Sequence, residues 1–199
     1  VTTALESDFS SVLDLGTGSG CILISLLREN TRAYGLGIDL SDGALEIAQK
    51  NGQVLGVSDR VIFMKSNWFE KVKSKFDIIV SNPPYISSLE FAGLSDDVVK
   101  YDPQIALLGG DDGLESFRII ISEAYKFLNS GGRFIVEVGF SQGKRVKELF
   151  FEAGYSNVKL IKDLSQKDRV VVVVDNSSNS TGPFVCNSSS GSSDRSSDS

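Results

Sequence analysis

Asn82-Pro83-Pro84-Tyr85 closes an apolar run, Phe76 to Ser81, that has the composition of a buried strand. Proline cannot donate to a sheet ladder, so the strand must stop there. Each residue before a proline is pushed towards extended conformations, which leaves the corner stiff. Stiff carbonyls beside an asparagine amide and an aromatic ring make a wall of hydrogen-bond acceptors. A planar –NH₂ group fits such a wall: the Asn82 side-chain oxygen and the Pro83 carbonyl can each accept one N–H, with Tyr85 against the planar face. Fixed oxygens close to that nitrogen favour a transition state in which it gains positive charge. The simpler reading of the same residues is a strand terminator.

A second constellation lies upstream. The segment LDLGTGSGC sets Gly16, Thr17, Gly18, Ser19 and Gly20 between a strand and a helix. Glycines there permit positive φ and let a ligand approach backbone N–H groups at a helix start. Asp39, at the end of the following strand, is placed to accept hydrogen bonds from both hydroxyls of a ribose. The dinucleotide fingerprint does not fit, because the third glycine comes one position early and Cys21 holds its slot. Asp14, just before the loop, would repel a pyrophosphate but pair with an ammonium group. S-adenosylmethionine, with an ammonium, a sulfonium and a ribose, suits this set.

These residues need a scaffold that brings them together. Val12 to Leu15, Tyr34 to Leu40, Val61 to Lys65, Phe76 to Ser81, Phe134 to Val138, Val158 to Ile161 and Val170 to Val174 read as seven strands. Helical patterns run through Ile22 to Leu27, Ala44 to Val54, Leu114 to Leu128 and Val146 to Ala153. Asp112 and Glu115 have capping-box spacing at the start of the third. Alternation of strands and helices predicts an α/β fold, a Rossmann-like, mostly parallel seven-stranded sheet. A short connection before the final strand makes that strand antiparallel. Ligands bind beyond the carboxyl ends of such strands, so strands one, two and four deliver the loop, Asp39 and Asn82–Tyr85 to one crevice.

Composition narrows the chemistry. The chain has 199 residues, no histidine, two cysteines and a net charge of −6. Histidine-based triads and histidine-ligated metals are excluded, and two distant cysteines make no zinc site, so no metal is expected. The acidic balance gives no general attraction to a phosphate backbone, and stable nucleic-acid binding is not expected. Lys65, Lys71, Lys73 and Lys75 form the nearest approach to a basic cluster, as a solvated surface would. No apolar run approaches the roughly eighteen residues of a membrane span, and a reducing cytoplasm is the expected compartment. Residues 1–175 form the expected catalytic domain. From Asn176 to Ser199 the Ser- and Asn-rich composition predicts a disordered tail.

Together LDLGTGSG, GIDLS, SNWF, VSNPPYI, YDPQIALLGGDDGLESFR and EVGFSQG resemble the release-factor glutamine N5-methyltransferase (HemK-like) family. The resemblance runs from about Val12 to Val174. It implies the fold of a class I S-adenosylmethionine-dependent methyltransferase, with the Gly-Gly-Gln glutamine of a peptide chain release factor as the methylated residue. It also implies that Gly16 to Gly20, Asp39, Trp68 and Asn82 contact the cofactor, and that Asn82, Pro83, Pro84 and Tyr85 hold the substrate amide. NPPY alone occurs in adenine, guanine and cytosine amino-methyltransferases too, so it fixes the chemistry and leaves the acceptor open. A nucleic-acid amino-methyltransferase acting on adenine N6 or guanine N2 is one alternative; a truncated, non-catalytic binding module is the other. Family members carry an N-terminal helical domain and a Pro-Arg-Pro-Glu-Thr-Glu-like stretch. Only Val1–Ser11 precede Val12 here, with no match, so the catalytic domain alone is expected. Asp102-Pro103 stands where the family has Glu-Pro.

Overall fold

Ser11–Leu15, the strand β1, is buried along its whole length, and the fold is built outward from it. The computed structural model describes residues 1–93 and 107–174; the Asp102-Pro103 pair and the Ser-rich tail lie outside the described residues. In chain order the elements are α1 (Thr2–Leu5), β1, α2 (Cys21–Glu29), β2 (Tyr34–Asp39), α3 (Asp42–Val54), β3 (Val61–Lys65), β4 (Phe76–Ser81) and α4 (Ser88–Ala92). They continue with α5 (Glu115–Glu123), a 3₁₀ turn (Ala124–Phe127), β5 (Leu128–Glu137), α6 (Gly143–Glu152), β6 (Val158–Lys162) and β7 (Asp168–Val174).

The strands form one seven-stranded sheet in the order β3-β2-β1-β4-β5-β7-β6. β1 pairs in parallel with β2 and β4, β2 with β3, and β4 with β5. β7 runs antiparallel between β5 and β6, the reversal that the short final connection predicts. Alternation along the central strands sends side chains to two separate cores, as expected of a sheet covered on both faces. Leu13, Leu15 and Ile79 join Phe117 and Ile120 of α5 and Val146 and Phe150 of α6. Val12, Ile78 and Val80 face Leu23, Leu26 and Leu27 of α2.

Three local expectations are corrected. The helix expected to reach Leu128 ends at Glu123, and the 3₁₀ turn carries the chain into β5. Ala124 and Leu128 are buried in the same core, and Phe127 stacks on Phe69 with ring centroids 4.6 Å apart. Their spacing of three to four residues thus reflects a tight turn over a core. β5 also begins six residues before the expected Phe134: Leu128 pairs with Phe76, and the register then jumps so that Arg133 pairs with Ile78. The turn-like Asn129-Ser130-Gly131-Gly132 is the bulge between them. Finally, Asp112 and Glu115 form no capping box. The N-cap of α5 is Leu114, with no side-chain cap; Asp112 instead accepts from the Leu114 N–H at 3.1 Å and pairs with Arg118. A true capping box lies at Ser87 and Glu90, opening α4.

At the amino ends of the strands, Asp77 of β4 ties β1 to β5. One of its carboxylate oxygens accepts from the amides and hydroxyls of Ser10 and Ser11, and the other accepts from Asn129 at 2.8 Å. Burial pushes the carboxyl pKa up, but the hydrogen bonds from Asn129, Ser10 and Ser11 outweigh it and bring it down to about 2. A folded-state value below the unfolded one stabilises the fold fully above pH about 4. That contribution is lost as pH falls through about 2. Denaturant titrations from pH 5 to pH 2 should therefore show a steeper acid decline for the native chain than for Asp77→Asn.

Candidate active site

Gly16, Gly18 and Gly20 all take positive φ, at 68°, 56° and 78°. The turn this allows is held by hydrogen bonds from both sides, among them one from Asn51 Nδ2 to the Ser19 carbonyl at 2.9 Å. Thr17 N–H donates to the Ile38 carbonyl at 2.8 Å, and Gly20 N–H to the Thr17 carbonyl at 2.9 Å. Gly18 N–H donates to Asp39 Oδ2 at 2.9 Å, and the Thr17 hydroxyl to Asp14 Oδ2 at 2.8 Å. Gly20 is the N-cap of α2, and a Cβ there would stand 2.8 Å from Ile24 Cδ1 and 3.2 Å from both Ala48 and Phe63. Close packing of helix on sheet, which the dinucleotide pattern assigns to a glycine one position later, is thus done by Gly20 itself.

Asp39 ends β2. Its Oδ1 accepts from Ser41 N–H at 2.9 Å, and the Ser41 hydroxyl caps α3 through Ala44 N–H. Each carboxylate oxygen has two acceptor directions, so each keeps one for a ligand. Beyond β3, Trp68 adopts φ 42°, a left-handed conformation that costs a bulky side chain free energy and clusters at functional sites. Ser66 holds it there: its hydroxyl donates to the Trp68 carbonyl at 3.0 Å and accepts from Lys71 N–H at 3.1 Å.

These segments enclose a cavity of about 700 Å³. That lies within the roughly 300–1,000 Å³ of small-molecule sites. Gly16, Thr17, Gly18, Ser19, Asp39, Trp68, Asn82 and Pro84 line it, joined by the exposed Cys21 and by Ser41, Ile47, Ser66 and others to which the sequence assigned no role. Asp14, Gly20, Pro83 and Tyr85 are not on the lining. Gly20 lies under the loop, Pro83 is buried and Tyr85 is half-buried beside the corner. Asn82 is exposed, and no described residue hydrogen-bonds its side chain.

The corner is held from behind by a residue that the sequence reading missed. Gln142 Nε2 donates to the Tyr85 carbonyl at 2.9 Å and to the Gly113 carbonyl at 3.2 Å, while its Oε1 accepts from Gly139 N–H at 3.3 Å. Gln142 belongs to EVGFSQG and Gly113 to GGDDG, so two of the segments that carry the resemblance converge behind NPPY. The only signal in the sequence was their presence in those segments.

Asp14 sits beneath the loop and away from the cavity wall, so the expected direct pairing with an ammonium group has no surface here. Its Oδ1 is buried without a hydrogen-bond partner. Desolvation pushes the carboxyl pKa up to about 7; the Thr17 hydroxyl and the Leu23 amide, the latter short of hydrogen-bond geometry, act in the opposite direction, and Asp39 adds to the rise. Because the folded state holds this proton more tightly than the unfolded chain, stability falls as pH rises from about 4 through 7. Urea titrations at pH 5 and pH 8 should show Asp14→Asn losing that decline, with the variant gaining on the native chain at the higher pH.

A glycine loop, a strand-end acid and an acceptor corner at the carboxyl edge of a β3-β2-β1-β4-β5-β7-β6 sheet define a Rossmann-like fold of the class I methyltransferase type. The methyltransferase domain family matches residues 6–178, and the chain belongs to it. Among curated relatives, the release factor glutamine methyltransferase of Cereibacter sphaeroides is 43% identical over 171 residues, 86% of this chain and 62% of that protein. A protein of the same name from Agrobacterium fabrum is 46% identical over 160 residues, 80% of this chain and 55% of its own length. The bifunctional methyltransferase of Rickettsia prowazekii is 42% identical, with 86% of this chain and 33% of that protein covered. This chain therefore spans less than two thirds of these curated relatives. Among solved structures, a methyltransferase from Pyrococcus furiosus superposes with a TM-score of 0.63 at 20% identity, covering 85% of this chain and 76% of that one. The ribosomal protein L11 methylase from Lactobacillus delbrueckii subsp. bulgaricus gives 0.63 at 19% identity, covering 87% and 74%. These two show the fold.

Proposed function

We propose that this chain is the catalytic portion, residues 1–175, of an enzyme that transfers a methyl group from S-adenosylmethionine to N5 of a glutamine side chain in a peptide chain release factor. The observation that carries the reading is the meeting, in one cavity, of an exposed asparagine amide with the glycine loop and Asp39. The names of the relatives from Cereibacter sphaeroides and Agrobacterium fabrum supply the acceptor. The cytoplasm is the compartment proposed for such an enzyme. No helix among the described residues is long and apolar enough to cross a membrane.

The donor set fits the cofactor. Loop amides and the free acceptor directions of Asp39 suit a ribose, and the Trp68 ring gives a flat apolar surface for a base. The carboxylate of Asp14 acts through Thr17 on the shape of the loop. When bound, S-adenosylmethionine supplies an electrophilic methyl group on a positively charged sulfur. The chain's own part is to hold the acceptor. The exposed Asn82 side-chain oxygen accepts one N–H of the glutamine amide. The Pro83 carbonyl, proposed to take the second N–H, and Tyr85, proposed to limit the tilt, both stand just off the cavity lining. An amide nitrogen has a poorly available lone pair, so fixing it in line and out of conjugation matters more than a strong base. Once methylated, the nitrogen is acidic enough to release its proton to water, and no histidine is required. Stable nucleic-acid binding forms no part of this reading.

Labelled donor offered with a release factor, a tRNA and a DNA duplex should mark the release factor alone; label in either nucleic acid would displace the glutamine reading. Asn82→Ala should slow transfer by roughly 10²–10³, the effect of losing one preorganised charge-stabilising group. Donor affinity, measured by calorimetry, should change only a few fold. Asp39→Ala should show the reverse pattern, weak donor binding with the acceptor corner intact.

A further inference from the structure

We infer that Gln142 is a positioning residue, whose side-chain amide fixes the Tyr85 carbonyl and with it the Asn82–Tyr85 corner that faces the acceptor. Only the activity arm of this inference rests on the proposed methyl transfer; the clamp itself is a matter of structure.

Gln142 occupies the N-cap of α6 yet makes no cap bond to its own helix. Ser, Thr, Asp or Asn at that position would stabilise the helix by about 1 kcal/mol. The side chain instead reaches a segment far back in the chain. Its head uses both kinds of hydrogen-bonding atom: Nε2 serves Tyr85 and Gly113, and Oε1 serves Gly139. A carboxylate lacks the donors and an ammonium lacks the acceptor, so a carboxamide is the head group that satisfies all three.

The corner needs outside support because its prolines have no N–H to give. Beyond them the first backbone bond among the described residues is Ile86 N–H to the Leu107 carbonyl at 3.0 Å, followed by Gly109 N–H to the Ile86 carbonyl at 2.8 Å. Between Ser81 and Ile86 the Tyr85 carbonyl is therefore the natural point of attachment. The surroundings are built around it. Gly113 has φ 71°, and a Cβ there would come within 2.4 Å of the Tyr85 carbonyl oxygen. A Cβ at Gly139 would approach Tyr85 Cδ2 to 3.3 Å, so the ring leans on bare backbone. Carbonyl and ring of Tyr85 are thus both held from the loop that leads into α6, and Asn82 is left free to face the cavity. Gln142 itself is not on the cavity lining, so it has no direct contact to offer a donor held there.

The test compares the native chain with Gln142→Met, which keeps length without the bonds, and Gln142→Glu, which keeps shape without the donors. Hydrogen–deuterium exchange of peptides spanning residues 84–91 and 107–114 should rise about tenfold in Gln142→Met, as loss of a stabilising hydrogen bond predicts. Peptides spanning residues 11–24 should be unchanged, and donor affinity should stay within twofold. Turnover on a Gly-Gly-Gln peptide should fall about 10- to 100-fold, the scale of a small misplacement of reacting groups. In Gln142→Glu, turnover relative to the native chain should recover as pH falls from 8 to 5, because a protonated carboxyl regains one donor. The ratio for Gln142→Met should stay flat. Unchanged exchange in Gln142→Met overturns the clamp. Raised exchange with undiminished turnover, or a pH-independent ratio for Gln142→Glu, overturns the positioning role. A native chain that methylates no glutamine peptide overturns the acceptor reading instead, and the exchange comparison then decides the clamp alone.

Discussion

The register of β1 between its two parallel neighbours sets everything that happens at the cavity. Leu15 pairs with Ile38 on one side and with Ser81 on the other, and the Ser81 hydroxyl donates to the Leu15 carbonyl at 2.8 Å. The next residue in each of the three strands is Gly16, Asp39 or Asn82. Loop, acid and asparagine are thus neighbours in one row across the sheet, extended by Lys65 of β3 through its pairing with Asp39. Slipping either pairing by one residue would turn every side chain on the slipped strand to the opposite face and break both cores. The hydrophobic packing of Leu13, Leu15 and Val12 therefore enforces the alignment of polar groups just beyond them.

The same strand carries the main electrostatic cost of the fold. Asp14 faces the α2 side with Val12, between the apolar Leu13 and Leu15, and one of its oxygens has no partner. A buried carboxylate is tolerated when it is neutralised or hydrogen-bonded, and the rise of its pKa to about 7 is the first of these responses. The Thr17 hydroxyl is the second. An isosteric apolar residue would make a more stable strand and leave the glycine loop without its anchor. Stability given up at Asp14 is matched by the positive φ of Trp68 across the cavity, which Ser66 maintains with two hydrogen bonds. The strain of Trp68 is on the cavity lining and the unmet polarity of Asp14 lies beneath the loop that lines it, in keeping with the tendency of functional sites to break local rules.

What could be read in the sequence followed from how local each signal is. Short β-branched and apolar runs bounded by glycine or polar residues placed all seven strands, and the short final connection gave the reversed strand. The carboxyl-end rule for α/β sheets predicted one crevice for Gly16–Gly20, Asp39 and Asn82–Tyr85; Gly16–Ser19, Asp39, Asn82 and Pro84 line it, while Gly20, Pro83 and Tyr85 stand off the lining. Periodicity failed where a buried turn copied helical spacing, at Ala124 to Leu128, and where a bulge looked like a loop, at Asn129 to Gly132. Ser87 and Glu90 had capping-box spacing but introduced only a five-residue helix, with no apolar run to draw attention to it. Asp112 had the same spacing and is claimed by Arg118. Gln142 was beyond reach, because its partners are 57 and 29 residues away and nothing about a glutamine at a helix start announces them.

A site made of neutral acceptors depends on rigidity in a way that a charged one does not. A carboxylate attracts a developing cation over several ångströms and in many orientations, so modest disorder costs it little. A carbonyl dipole acts over a shorter range and must point at the charge to be effective; a small rotation removes most of its benefit. With no histidine in the chain and Asp39 committed to loop and cap amides, the acceptor end of the cavity has only such dipoles to offer. Two proline rings remove φ freedom from within the corner, and the bond from Gln142 removes the remaining freedom from outside it. Neither suffices alone: prolines stiffen the backbone but leave the corner free to pivot as a unit, and a single side-chain bond cannot order a flexible loop. The use of asparagine, proline and tyrosine in place of an acid or a base is therefore inseparable from the long-range contacts that hold them still.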